Sequence, residues 1–280
     1  MDFLEKFKNI FTRIKRIPEN PILTASLVLL GASLVVFLLS FDYYLTHPDA
    51  FREAILAEAH GMLFDLAIIG ILLYWLNQKG EERQRIKTYK DEIDDFRLWE
   101  SDEAAFRTVG NIKRLNRHKI YNINLVNTHL ARTNLNYVIL KGSNLNNSNL
   151  SGSKLIESNL ENARLNQTDF ENANLNQANL QKAYASGAIF KDAFMIKANF
   201  RGAFLIKADF NNGFLMESDL REAYLTGADF AQANLYKADL RGAIGLNAEQ
   251  FKEVRSLFLA KMDPELEEQI KELYPELLGK

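Results

Sequence analysis

The chain has 280 residues, which is enough for one large or two modest folded domains. Its 34 Lys and Arg nearly balance its 36 Asp and Glu, so the formal net charge is -2; this argues against nucleic-acid binding through bulk positive charge and against acidic mimicry of a nucleic acid. The absence of Cys excludes disulfides, thiolate metal sites, a Cys nucleophile and thiol redox chemistry.

Two apolar segments in residues 1–79 predict a membrane anchor. The first segment, residues 22–41, carries no charge, and as a helix of about 30 Å it matches the thickness of the hydrocarbon core. A cleaved signal peptide is rejected because the run is too long and because a second apolar segment, residues 57–76, follows it. Basic residues flank the pair, whereas the connecting segment is acidic, so the positive-inside rule predicts that both termini lie in the cytoplasm.

The second apolar segment contains two acidic residues, Glu58 and Asp65, which lie seven positions apart and share one helix face. Asp65 falls near the predicted bilayer midplane, where a carboxylate is costly and usually faces protein or water. These intramembrane polar residues indicate either an oligomeric contact or a proton or ion site. The favoured explanation is a neutral acid that is hydrogen-bonded inside the helical hairpin, or a second helix that dips into a thinned bilayer, because the acid has no cationic partner.

Residues 80–119 are charged and helix-prone, which predicts a helical linker that caps the following domain. Ser101, followed by two acids, is typical of a helix start, and Ala105, Val109, Ile112 and Leu115 recur at helical spacing. A basic cluster ends this region: Lys113, Arg114, Arg117, His118 and Lys119. The cluster either contacts anionic lipid or nucleic acid, or is a solvated helix end that complements the helix dipole.

A five-residue repeat fills residues 120–245. From Leu125 to Leu240, every fifth residue is Leu, Phe or Met, with the exception of Ala185. The residue two positions earlier is small, except that a few of the first repeats differ, and the residue between the two is often Asn or Asp. A helix or a straight strand would scatter this series over several faces, whereas a chain that turns a corner every five residues buries it. Four such sides predict a square coil of 20 residues that stacks on its neighbours.

This pattern resembles the pentapeptide repeat family, whose motif is a small residue, Asp or Asn, Leu or Phe, a polar residue and often Gly. The resemblance implies a mainly β solenoid, the right-handed quadrilateral pentapeptide β-helix. Together with the preceding segments, it gives the expected fold: an N-terminal two-helix transmembrane hairpin, a helical linker, the solenoid and C-terminal capping helices. Ala185 at a central position implies a locally thin core, or neighbours such as Leu165 and Leu205 closing over it. Gly213 replaces the small inward Ala.

The tail, residues 246–280, leaves the five-residue register. Residues 248–261 and 264–273 are interpreted as two helices, separated by Asp263 and Pro264, that cap the last coil. The end of the tail is similar to that of many membrane-linked bacterial pentapeptide proteins. The resemblance therefore implies the bacterial inner membrane, and the positive-inside rule predicts that the solenoid lies in the cytoplasm.

Catalytic and metal-binding patterns are missing from the sequence. The four His show no metal-ligand spacing, and there is no phosphate loop or nucleophile elbow, so we expect no enzyme activity, metal, cofactor or small-molecule substrate. Some members of the family that the chain resembles imitate duplex DNA and act on type II topoisomerases. Residues 120–245 carry seven Lys, five Arg, six Asp and five Glu, a net charge of +1, so this role is disfavoured and no nucleic acid is expected as partner.

Large apolar side chains at outward positions predict two opposite candidate faces in the later coils. We name them after one member each. The Phe194 face carries Phe194, Ile196, Phe214, Met216 and Tyr236. The Tyr184 face carries Tyr184, Phe204, Ile206 and Tyr224. Such patches mark binding surfaces, but stacked ladders that stabilise adjacent coils, or cover from neighbouring segments, would explain them as well.

The sequence thus favours a non-enzymatic scaffold that is tethered to the lipid bilayer and presents the solenoid to an unidentified protein partner or to a second copy of itself. The alternative is an oligomeric membrane effector or pore whose assembly the solenoid controls. Only the interrupted second apolar segment and Asp65 favour this alternative.

Overall fold

The computed structural model describes residues 30, 31, 33–38, 41, 42, 45, 46 and 48–279. The chain divides into two compact units, Met1–Gln78 and Lys79–Lys280. The described helices from residue 48 onward are α1 (Pro48–Asp95), α2 (Asp102–Arg117) and α3 (Pro264–Leu273), with 3-10 helices at Ala248–Phe251 and Pro275–Leu278. The solenoid lies between α2 and the first 3-10 helix.

Helix α1 contains the whole second apolar segment but does not end with it at residue 76. It continues to Asp95, so part of the predicted linker belongs to the same helix. The reason is local: between residue 77 and Asp95 there is no Pro, and the single Gly of this stretch, Gly80, costs a helix only about 1 kcal/mol. Ion pairs of Lys79 with Glu82 and of Arg85 with Glu81, each at 3.3 Å, support the helix just after this Gly.

Among the described residues, one helix segment, Gly61–Asp95, is long and apolar enough to cross a membrane, judged by length and composition alone. The predicted first span, residues 22–41, lies largely outside the described residues. The two-helix hairpin therefore stays a prediction.

The N-terminal end of the solenoid core is covered by α2. The Ser101 side chain accepts a hydrogen bond from Ala104 N at 3.2 Å, which confirms the predicted helix start. All four residues predicted to form the apolar stripe are buried: Ala105, Val109, Ile112 and Leu115. Helix α1 contributes the buried Ile93 and the partly buried Ile86 and Tyr89 to the same core, a contribution that the sequence reasoning missed.

The solenoid repeats every 20 residues, as the five-residue period predicts. Parallel bridges join each residue that precedes a central one to the residue 20 positions later, for example Asn144 to Arg164 and Arg164 to Tyr184. The central residues are 0–1% exposed, and those two positions earlier are buried as well. Burial of both sets in one continuous core is the main source of solenoid stability.

Each side of a coil is shorter than an ordinary strand. The pairing consists of isolated single-residue bridges, so the described solenoid contains no extended strand and "mainly β" applies only to its architecture. The cause is the corner: a turn in which Thr168 N donates to Leu165 O at 3.1 Å uses most of each five-residue side. The second residue after each central one has a positive φ, from 53° at Glu157 to 68° at Gly142.

Two departures from the repeat are accommodated inside the core. Ala185 is 1% exposed, and both Leu165 and Leu205 are fully buried in the adjacent coils. At Gly213, an added Cβ would lie 3.0 Å from Cε of Met195 and 2.9 Å from the Phe210 carbonyl oxygen. Met195 is longer than the Leu that is usual at central positions, so its terminal methyl group occupies the space that Ala would need.

The predicted first tail helix, residues 248–261, is wrong. Only Ala248–Phe251 is helical, as a 3-10 turn, and the chain then resumes the solenoid with bridges from Asn234 to Ser256 and from Asp239 to Lys261. The sequence separation between bridged residues has grown from 20 to 22. The buried Leu257 therefore takes the next central position despite the lost register, and its burial in the last coil overrides helical propensity.

The predicted second tail helix is confirmed as α3, which begins at Pro264. It buries Ile270, and the following 3-10 helix buries Leu277. Leu277 O accepts a hydrogen bond from Leu257 N at 2.9 Å, so the tail ends against the last partial coil.

Candidate interaction faces

The Phe194 face carries an aromatic and aliphatic ladder. The rings of Phe194 and Phe214 stack with centroids 4.8 Å apart and planes 3° apart. Phe194 is 41% exposed, whereas Phe214, Ile196 and Met216 are half-buried. The ladder thus stacks between adjacent coils and at the same time leaves apolar surface exposed. Stacking is confirmed, whereas binding at this face stays a prediction.

The C-terminal tail covers the upper end of the Phe194 face. Tyr236 stacks on Phe258 with centroids 5.9 Å apart, and the guanidinium of Arg255 lies 6.0 Å from the Phe214 ring. Arg255 also donates a hydrogen bond to Asn212 Oδ1 at 2.7 Å. The open part of the face is therefore centred on the rows of Phe194 and Phe214.

The Tyr184 face, two sides away in every coil, holds a longer aromatic stack. Tyr184, Phe204 and Tyr224 follow one another at centroid distances of 4.8 and 4.6 Å. Ile206 is exposed, and Ile244 extends the column upward with 48% exposure. The sequence reasoning missed Ile244, although its spacing of 20 residues from Tyr224 gives the signal.

A third side carries a ladder of Arg and Asp. Arg221 donates to Asp219 through Nε at 2.8 Å and Nη2 at 2.6 Å, and Arg241 repeats the arrangement with Asp239. Partial burial opposes ionisation of Asp219, but the hydrogen bonds from Arg221 outweigh it and hold the pKa of this carboxyl below its ordinary value. For Asp239, the hydrogen bond from Arg241 lowers the pKa against a weaker effect of burial.

The two acids of the apolar segment both lie on α1 and are both exposed. Asp65 stands among large apolar side chains that are also exposed, and Glu58 lies two turns earlier on the helix. Their role stays a prediction.

The basic cluster at the end of α2 is used partly within the protein. His118 Nδ1 lies 3.3 Å from Glu82 Oε1, and Arg114 lies over the Tyr89 ring at 5.6 Å while donating to Asn111 Oδ1. The pKa of Glu82 is lowered, mainly by the hydrogen bond with His118 and next by Lys79. The cluster thus joins α1 to α2, a use that the sequence reasoning did not foresee.

No group of three or more His, Asp or Glu side chains that could hold a metal ion occurs among the described residues.

A family model described as pentapeptide repeats matches residues 121–152, 153–192, 178–215 and 215–244. The solenoid is a pentapeptide repeat domain. This assignment implies the right-handed β-helix that the resemblance predicted. Pentapeptide repeat proteins are in general non-enzymatic structural or interaction proteins.

Solved pentapeptide repeat structures are similar to about half of the chain. HetL of the cyanobacterium Nostoc, which is involved in heterocyst differentiation regulation, is 25% identical over 55% of this chain and 79% of its own, with a TM-score of 0.19. Rfr23 of the cyanobacterium Cyanothece is 25% identical over 55% of this chain and 98% of its own, with a TM-score of 0.18.

Full-length QnrB1, a plasmid-mediated fluoroquinolone resistance protein, is 19% identical over 57% of this chain and 90% of its own, with a TM-score of 0.23. With TM-scores this low, we draw no conclusion about this chain from these structures. No curated protein gives a significant match to the sequence.

Proposed function

We propose that this protein is a non-enzymatic scaffold, tethered to a membrane through α1, whose pentapeptide repeat domain binds another protein molecule. The observation that carries the proposal is the apolar segment of α1. Every large apolar side chain from Met62 to Leu76 is at least half exposed, on all sides of the helix. In water this surface would be unfavourable, whereas a bilayer solvates it.

A membrane tether explains the distribution of charges on the two sides of the apolar segment. The segment before the apolar residues of α1 is acidic and includes the first turns of this helix, and Lys79, Arg83, Arg85 and Lys87 follow the apolar segment closely. By the positive-inside rule, the pentapeptide repeat domain then lies on the cytoplasmic side of the bacterial inner membrane. The domain offers apolar faces for contacts there.

The test uses the natural absence of Cys. A reporter Cys at Glu265→Cys in the tail is labelled with a membrane-impermeant maleimide, in intact cells and after lysis. We expect the parent chain to resist alkaline extraction from membranes and to react only after lysis. Adding Ile69→Lys with Leu72→Lys should expose the tail outside or release the chain, because each central charge opposes insertion by about 2.5–3.5 kcal/mol.

The matched control is Ile206→Lys, which adds the same charge to an exposed position of the solenoid. It should behave like the parent chain. Recovery of the parent chain in the soluble fraction would contradict the proposed function.

A further inference from the structure

We propose that the Phe194 face binds the Phe194 face of a second copy of this chain, with the two solenoids antiparallel. The inference deepens the proposed function and rests on it, since it names the partner of the scaffold. We call one side of one coil a row and name it by its central residue. The two-fold axis lies in the contact plane between the rows of Met195 and Leu215, and it runs perpendicular to the solenoid axis.

The apolar residues of this face form two columns that match each other in that register. Rotation about the axis brings the row of Met195 opposite the row of Leu215 of the second copy. Phe194 then faces Phe214, and Ile196 faces Met216. One row further out, Asn174 faces Asn234. Large apolar groups thus meet at the centre, which is where a binding surface places its core.

The charges at the corner of the same face provide the complementarity. The residues two positions after the central ones form a column at this corner: Glu157, Gln177, Lys197, Glu217 and Lys237. All five are exposed. Lys197 and Glu217 lie on either side of the axis, so each faces the opposite charge of the second copy. Within one copy their side chains are already 3.6 Å apart, so the dimer would hold a four-charge network.

The antiparallel arrangement follows from the columns. A parallel pair, related by an axis along the solenoid, would place the charged column of one copy against the Phe194 and Phe214 column of the other. That contact would bury the Lys197 and Glu217 pair against apolar rings, with no charge of the second copy to meet it, which is unfavourable. The antiparallel pair puts like columns together, and the alternation of signs then makes them attract.

The Tyr184 face lacks this self-complementarity. Its corresponding column carries Gln167, Gly187, Lys207 and Gly227, with one charge among them. On the Phe194 face, the row of Lys154 falls opposite the row of Ser256, which carries no charge in this column. The cation nearest the centre is Arg255, whose guanidinium lies 6.0 Å from the Phe214 ring and is bound to Asn212.

The contact covers one coil side over about four coils, roughly 15–20 Å along the solenoid, so it is a small interface. The local concentration of chains held in one membrane compensates for that. The experiment is therefore done in membranes with the full chain.

Two differently tagged copies are produced together, one with Gln177→Cys and the other with Lys237→Cys. These positions face each other across the proposed axis, whereas identical positions lie about 14 Å apart along the solenoid. Mild oxidation before solubilisation should give a disulfide-linked dimer that carries both tags. Copies with only one of the two changes should give at least tenfold less dimer.

A charge-reversal experiment checks the register independently. Lys197→Glu and Glu217→Lys should each abolish the cross-link when both copies carry the same change, because like charges then meet. When one copy carries Lys197→Glu and the other Glu217→Lys, the cross-link should return to the parent level. The pair within each copy stays broken in this mixture, so a recovery reports contacts between copies.

The inference is overturned if the mixed dimer does not form in membranes that contain both copies, if single-position copies cross-link equally well, or if the mixed charge variants do not recover. The same membrane fractions separate these failures from a failure of the proposed function. Copies that remain membrane-bound without cross-linking refute the dimer alone, whereas copies found in the soluble fraction refute the tether.

Discussion

At the scale of single residues, the five-residue repeat satisfies nearly all its backbone donors. In one side, the amides of Leu165, Gln167, Thr168 and Asp169 all donate to carbonyl oxygens of the same coil or of adjacent coils. The remaining amide, that of Asn166, is bound by a side chain, Asn146 Oδ1 of the coil below, at 3.0 Å. Where Asp or Asn precedes the central residue, its own side chain accepts the hydrogen bond from the amide that follows the central residue, as Asp169 and Asn174 do.

This bonding explains why the repeat favours Asn and Asp, and how aromatic residues can replace them. Phe194 cannot accept a hydrogen bond from Ile196 N, and Asn176 Oδ1 of the coil below accepts it instead at 2.8 Å. The backbone beside Phe194 therefore depends on an amide side chain one coil away. Because an unsatisfied amide is costly, such compensation stabilises the solenoid.

The inward Ser residues give a test of the same principle. Ser153 Oγ donates to Leu150 O at 2.6 Å, whereas the buried Ser158 Oγ has no hydrogen-bond partner in the described structure. Ser158→Ala should raise the free energy of unfolding by about 1 kcal/mol, because it removes a desolvated hydroxyl at a column position that is Ala178 one coil later.

The matched control, Ser153→Ala, loses a hydrogen bond and should lower the free energy of unfolding by about 1 kcal/mol. Denaturant unfolding of the full chain in detergent measures both. Equal effects of the two substitutions would show that their different hydrogen bonding does not matter.

At the scale of elements, the Arg and Asp ladder gives the solenoid a pH dependence. Folding lowers the pKa values of Asp219 and Asp239, so the unfolded chain binds more protons in mildly acidic solution. The stabilisation is therefore complete above the ordinary Asp pKa, near 4, and is lost as the pH falls through the lower folded-state values.

Replacing both acids, Asp219→Asn with Asp239→Asn, should lower the stability at pH 7 by less than about 1 kcal/mol for each ion pair, because the Arg partners are largely exposed. The variant should also lose less stability than the parent between pH 6 and pH 3. Thermal unfolding across this pH range measures the difference. Identical slopes for parent and variant would show that the ladder contributes no pH dependence.

At the scale of the whole molecule, the 20-residue coil is the unit that can be removed. Deletion of residues 161–180 joins equivalent positions, so every later residue keeps its inward or outward direction. We expect this variant to fold and unfold cooperatively, since each coil contacts only its neighbours. Deletion of residues 161–178 shifts all later coils by two positions and exposes their central residues.

The melting temperature of the 18-residue deletion should lie at least about 10 °C below that of the 20-residue deletion, because several kcal/mol of core burial are lost. Circular dichroism of both full chains in detergent provides the measurement. Similar melting curves would show that the register of the coils does not determine stability.

The sequence by itself determined the solenoid, because the five-residue period admits one way of burying every central residue. It also determined α2, through Ser101 and the apolar stripe, and the positions of the two apolar faces, because residues 20 positions apart must share a column. These features depend on local spacing, which a single chain displays directly.

Only the tertiary structure decided how the ends are completed. Helical propensity predicted a helix at residues 248–261, but burial of Leu257 above the last coil outweighs it, across an offset of two residues that no repeat model anticipates. Ile86, Tyr89 and Ile93 likewise gain their role from the coil edge that they cover. Such choices depend on the energy of contacts between segments distant in sequence, and these contacts exist only once the coils have formed.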